Sequence, residues 1–133
     1  MAGLLPVVRH LLVCEDLIYN PANPQGVTIK NLLGNIRSVE QPPYPLLYAQ
    51  LCVYVQLTEC RGVGEVRLRI EEADTNTLLY RTPKLKVSFG NDPLKKRGLP
   101  FRIRDLLFPS AGLYLIEFWY NDARLAEETL LLK

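Results

Sequence analysis

The chain has 133 residues, 48% of them hydrophobic, with a formal net charge of +2. That length suits a single domain over 1–133, and that apolar share builds a core without metals or disulfides. The near-neutral balance gives no electrostatic case for nucleic acid or for an anionic membrane surface.

Cys14, Cys52 and Cys60 are an odd number of thiols at no metal-ligand spacing. The opening stretch MAGLLPVVRHLLVCED has no charged region ahead of its apolar residues, and Arg9 and His10 interrupt the run. It reads as neither a signal peptide nor a membrane span. The expectation is a reduced, cytoplasmic protein with free thiols and no membrane contact.

Residues 6–16 read as a first strand, with apolar residues on both faces and hence burial on both sides along part of its length. NPANPQG, residues 20–26, reads as a turn-rich loop. In residues 27–39 the apolar phase switches: Val27 and Ile29 share one phase, Leu32, Gly34 and Ile36 the other. That switch predicts a β-bulge near Lys30-Asn31. QPPYP, residues 41–45, stops regular structure.

Residues 46–57 alternate cleanly. Leu47, Ala49, Leu51, Val53, Val55 and Leu57 form a core face, and Tyr48, Gln50, Cys52, Tyr54 and Gln56 form a semi-polar one. After a predicted Gly62-Val63-Gly64 turn, Val66, Leu68 and Ile70 point in, with Arg67 and Arg69 out. Asp74-Thr75-Asn76 is a hairpin turn. Short strands follow over 78–81 and 84–89, with Leu85, Val87 and Phe89 inward. Residues 91–98 form a charged loop; Phe101 and Ile103 then point in, Arg102 and Arg104 out. One helical turn is predicted over 104–108, before Pro109.

Ser110-Ala111-Gly112-Leu113-Tyr114 has the shape of the corner entering the penultimate strand of immunoglobulin-like sandwiches, where a Tyr hydroxyl folds back onto backbone. Residues 112–133 are the last hairpin. Asn121-Asp122 forms its turn, and Tyr114, Ile116, Phe118 and Tyr120 share one face. The fold class is therefore all-β: a two-sheet antiparallel, immunoglobulin-like β-sandwich of about seven to nine strands.

Several motifs together resemble a bacterial β-sandwich domain family of unknown function. They are Cys14-Glu15-Asp16 ending the first strand, the Gly26 to Gly34 spacing, the Pro-bounded strand after Pro45, Gly64-Glu65, and Ala111-Gly112-Leu113-Tyr114. Asp74-Thr75-Asn76-Thr77 departs from the Asp-x-Asp-Gly turn common in such domains. The resemblance implies a fold and no activity.

The residues do not assemble a catalytic set. His10 is the lone histidine, with no Ser or Cys motif beside it. Cys14 shares its strand face but lies about 13 Å along the strand, beyond hydrogen-bond reach. Glu15-Asp16 and the acids of residues 71–74 lack a calcium-loop ligand series and read as solvated turns. No phosphate loop or dinucleotide fingerprint is present. The expectation is no enzyme, no cofactor and no metal.

Two surface readings remain. If residues 46–57 pair with residues 113–120, then Tyr48, Cys52, Tyr54, Leu115 and Trp119 share one outward aromatic face. Unless a loop such as residues 20–26 or 41–45 covers it, that face predicts a protein partner or self-association. The alternative is nucleic acid or another polyanion on outward Arg67, Arg69, Lys84, Lys86, Arg102 and Arg104, with Lys95-Lys96-Arg97 in a loop. Glu65, Glu71, Glu72 and Glu117 dilute that charge toward an ordinary solvated face with cross-strand ion pairs.

Overall fold

The computed structural model describes residues 5–133, so the first four residues of the stretch read for a leader lie outside the described residues. The strands are β1 (Val7–Asn20), β2 (Asn23–Leu32), β3 (Asn35–Ile36), β4 (Leu46–Thr58) and β5 (Gly62–Glu72). They continue with β6 (Leu78–Arg81), β7 (Leu85–Gly90), β8 (Arg97–Phe108), β9 (Gly112–Tyr120) and β10 (Ala123–Leu132). One sheet runs β2-β1-β4-β8; the other runs β3-β10-β9-β5-β6, with β7 also paired to β5. The protein is an all-β, two-sheet sandwich. Ten strands are described, one more than the top of the expected range, because the two-residue β3 adds a parallel pairing with β10.

The core follows from period-two alternation. Leu51, Val53, Val55 and Leu57 of β4 and Phe101 and Ile103 of β8 are buried, as are Val66, Leu68 and Ile70 of β5 and Tyr114, Ile116, Phe118 and Tyr120 of β9. At the corner the buried Tyr114 donates its hydroxyl proton to Ser110 O at 2.8 Å, and its ring meets Phe108 edge-on at 5.1 Å. Asn121 and Asp122 both take positive φ, as a tight hairpin turn requires.

Several expectations are corrected. Residues 104–108 are not helical; they complete β8, with Leu106 opposite Tyr48 and Phe108 opposite Leu46. No register shift occurs at Lys30-Asn31, since Asp16 pairs Lys30 and Cys14 pairs Leu32 in one register. The shift lies at Tyr19/Asn20 instead, and the chain leaves one sheet for the other between β2 and β3. That crossing, with the left-handed Asn31 (φ 54°) just before it, accounts for the phase change. Asn23 to Gly26 belong to β2, so the loop shrinks to a tight turn. Gly62-Val63-Gly64 opens β5 rather than preceding it.

Asp105 is left-handed (φ 54°) inside β8. There the inward phase moves from Phe101 and Ile103 to Leu106 and Phe108, and on β4 from Leu51 to Tyr48 and Leu46. Leu47 is therefore 59% exposed beside the half-exposed Leu107, not in the core. Leu85 is exposed as well, at the start of β7, whereas Phe89 is buried.

Candidate interaction surfaces

β4 pairs with β1 and β8, not with β9. The five aromatic-face residues are therefore divided between opposite sheets. Tyr48 packs against the main core, Cys52 and Tyr54 lie on the far side of β4, and Leu115 and Trp119 lie on the outer face of the six-stranded sheet. The ladder decides this: β4 buries its apolar row against β9 across the sandwich, so the two strands cannot also be neighbours.

Cys52 is covered by the end of the β1–β2 hairpin, and the half-buried Tyr54 packs at the margin of that cover. Cys14, Leu17 and Cys52 form a second buried cluster, with Val27, Ile29 and Tyr54 packed on it. Cys14 and Cys52 are direct ladder partners. Arg102 fastens the cover by donating to Asp16 Oδ1 and to Leu17 O, each at 2.5 Å. Gln50 donates to Glu15 O and Asp16 Oδ1 at 3.2 Å. The Arg102 hydrogen bond holds the Asp16 carboxyl below the usual carboxylate range. Burial, reinforced by Cys52, pushes the Cys14 thiol up to about 11, and burial raises Cys52 and Cys60 too.

On the six-stranded sheet, Trp119 sits among fixed polar groups. Its indole N–H donates to Glu117 Oε1 at 3.2 Å, and the Arg69 guanidinium lies 5.3 Å from its ring centre. Glu117 is 2% exposed, and Arg124 neutralises it at 2.9 Å. A buried carboxylate needs such a partner. Burial, with Glu117 adding to it, raises the nearby Glu71. Arg67 donates to Thr82 O at 3.1 Å, and Lys84 pairs with Asp122 at 2.9 Å.

The six basic residues do not form one face. Arg67 and Arg69 lie on β5, beside Lys84, and Lys86 on β7 is opposite Glu65. Arg102 and Arg104 are on β8 in the other sheet, with Arg102 committed to the hairpin cover. The sandwich separates the two groups by its own thickness.

A basic trough that the sequence did not point to lies on the outer side of the four-stranded sheet. One hollow of about 630 Å³ is lined by Tyr19, Tyr54, Gln56 and residues 94–98. A second of about 560 Å³ is lined by Arg9, His10, Gln56, Thr58, Glu59 and Lys96. They share Gln56, Leu94 and Lys96 and so run together. The one available signal was Lys95-Lys96-Arg97; nothing in the sequence sets it beside Tyr19. Among the described residues, no group of three His, Cys, Asp or Glu side chains is placed to hold a metal ion. No described helix is long and apolar enough to cross a membrane.

No protein of curated function matches the sequence. Among solved structures, the chain is similar to Pseudomonas fluorescens alkylpurine DNA glycosylase AlkC bound to DNA containing an abasic site analog. That match has TM-score 0.55 and 11% identity over 99% of this chain and 31% of the other. It is also similar to the β-D-glucoside glucohydrolase of Trichoderma reesei, with TM-score 0.50 and 16% identity over 97% of this chain and 19% of the other. The chain spans about a third of the first and a fifth of the second. At these identities the likeness is one of fold. The profile of DUF6941 matches residues 20–133, and the chain therefore belongs to this family of unknown function.

Proposed function

We propose that the protein is a non-enzymatic protein-interaction module whose docking centre is Trp119, on the outer face of the six-stranded sheet. One observation carries this reading. Trp119 is a half-buried ring held by Glu117 and Arg69, so its rotamer is fixed before a partner arrives. Trp and Arg dominate binding energy at protein interfaces, and preorganised anchors lose little entropy on docking. Leu115 lies on the same face of β9, about 13 Å along the strand with Glu117 between, and Arg67 and Arg124, the ladder neighbours of Trp119, supply a charged rim that sets register. Tyr48, Cys52 and Tyr54 leave this site: Tyr48 packs on the core, Cys52 lies beneath the hairpin, and Tyr54 sits on the outer side of the other sheet.

A non-enzymatic role is supported by the state of the strongest nucleophile. Cys14 is buried and its thiol is held protonated, with His10 four residues back along β1. The three buried free thiols also support a reducing, cytoplasmic setting.

The test is affinity capture from native lysate with wild type and Trp119→Ala side by side, together with sedimentation of each alone. The expected result is a captured protein, or a self-associated species, that Trp119→Ala loses while its circular dichroism spectrum is unchanged. Identical capture and identical sedimentation by the two chains refute the docking centre.

A further inference from the structure

We propose that the trough on the four-stranded sheet binds short single-stranded nucleic acid, with phosphates on Arg9, Lys95 and Lys96 and a base stacked on Tyr19. This site is separate from the Trp119 face and does not depend on it.

Charge is the first argument. Arg9, Lys95, Lys96 and Arg97 border the two hollows, and among the described residues none of them is ion-paired. Arg9 donates through Nε to Thr58 Oγ1 at 2.8 Å, whereas the Arg97 guanidinium turns toward the other sheet, donating to Ser88 O at 3.4 Å and lying 5.8 Å from the Phe89 ring centre. Arg9 is thus oriented by the protein without an ion pair, and Lys95 and Lys96 supply the other two cations of the trough. The nearby acid Asp92 is used locally, accepting from Leu94 N at 3.0 Å. Among the described residues, Glu59 is the one carboxylate lining either hollow.

The aromatic floor is the second. Tyr19 is 44% exposed at the rim. Tyr54 lies directly over Gly98, where an added Cβ would come within 2.7 Å of its Cζ. Glycine at 98 therefore lets the ring lie flat against β8. Base–aromatic stacking beside a cationic groove is how single strands are held without sequence readout.

The floor itself separates occupants. It is the face of β1, β4 and β8, whose backbones already pair with one another. An extended peptide laid across that face finds no free ladder to join, since the unpaired edges are the outer sides of β2 and β8, and such an edge is a peptide's main source of affinity. A ligand read by side chains alone, with one anionic group per repeat and flat rings between them, matches cations spaced beside a tyrosine.

The test is fluorescence anisotropy of a labelled oligothymidylate of about eight nucleotides at low salt. Binding is expected, with log K falling against log salt at a slope of about −2 for three phosphate contacts. The Lys95→Glu/Lys96→Glu chain should bind at least tenfold more weakly. Tyr19→Ala should lose about five- to tenfold and Tyr19→Phe nothing. Arg104→Glu, on the same sheet but outside the trough, and Trp119→Ala should both bind as wild type. No binding at low salt overturns the proposal. So does equal affinity for the Tyr19→Ala or Lys95→Glu/Lys96→Glu chains. Displacement of the oligonucleotide by polyglutamate at equal charge concentration also overturns it, in favour of an acidic polypeptide.

Discussion

On the outer face of the six-stranded sheet, Arg124 closes on Glu117 and Lys84 on Asp122, each at 2.9 Å. On the other side of the sandwich, Lys95 and Lys96 stand beside open hollows with no carboxylate partner among the described residues. A net charge of +2 averages over both arrangements and describes neither. The first set of charges is paired within the molecule, and its Arg124 neutralises the buried carboxylate that holds the tryptophan. The second set remains available to a ligand. Unpaired surface cations repel one another slightly, so they are a feature that folding does not ask for.

The sharpest way to probe this contrast uses two glycines, one beneath a tyrosine on each side. A Cβ at Gly64 would drive into the ring of Tyr120, which is itself buried. Gly64→Val should cost about 3 kcal/mol in urea unfolding, the upper end for overpacking. Gly98→Val meets Tyr54 in the same way, but Tyr54 borders the trough and has space to turn. A cost of about 1 kcal/mol is expected there, together with weaker oligonucleotide binding. Equal costs would mean that the trough offers no room.

Charge removal comes next in size. Arg124→Ala leaves the Glu117 carboxylate buried without its cation, and the urea midpoint should drop by about 1 M. Lys96→Ala should move it by less than about 0.2 M. Similar shifts for the two would erase the distinction between the faces. Arg102→Ala releases the hairpin from Asp16 and Leu17; iodoacetamide labelling of Cys14 and Cys52, followed by mass spectrometry, should accelerate about tenfold relative to Cys60.

The smallest effect is a pH dependence. Cys14, Cys52 and Cys60 hold their protons more tightly folded than unfolded. Their stabilisation is complete below the ordinary thiol range and is lost as pH rises above about 9 toward the raised folded value, because the unfolded chain then binds fewer protons. Urea midpoints at pH 8 and pH 10 should differ in that sense, and less so in Cys14→Ala.

Much of the fold can be read locally. β5 and β9 show their buried rows by simple alternation, the Tyr114 corner closes on Ser110 as its motif implies, and Asn121-Asp122 makes the turn. Both faces of β1 are buried in part, Val13 in the main core and Cys14 in the second cluster. Strand partners could not be read, because β4 has equally good apolar rows for β1, β8 or β9 and only three-dimensional packing chooses. The reversals of phase near Asn31 and Asp105 depend on single left-handed residues, a state that Asn and Asp tolerate but do not require. The trough draws Arg9, Tyr19, Gln56 and Lys96 from four separated segments, so no window of sequence contains it.

β2 and β8 are the margins of the four-stranded sheet, and each carries one of those left-handed residues, Asn31 and Asp105. A long, straight margin of unsatisfied amides and carbonyls recruits strands from other molecules into fibres. Here each margin is broken by a local twist, so a foreign strand can register with only a short stretch before its hydrogen bonds fall out of step. Converting either position to a β-branched residue would straighten the rim, and growth of thioflavin-positive material on gentle heating is the expected outcome.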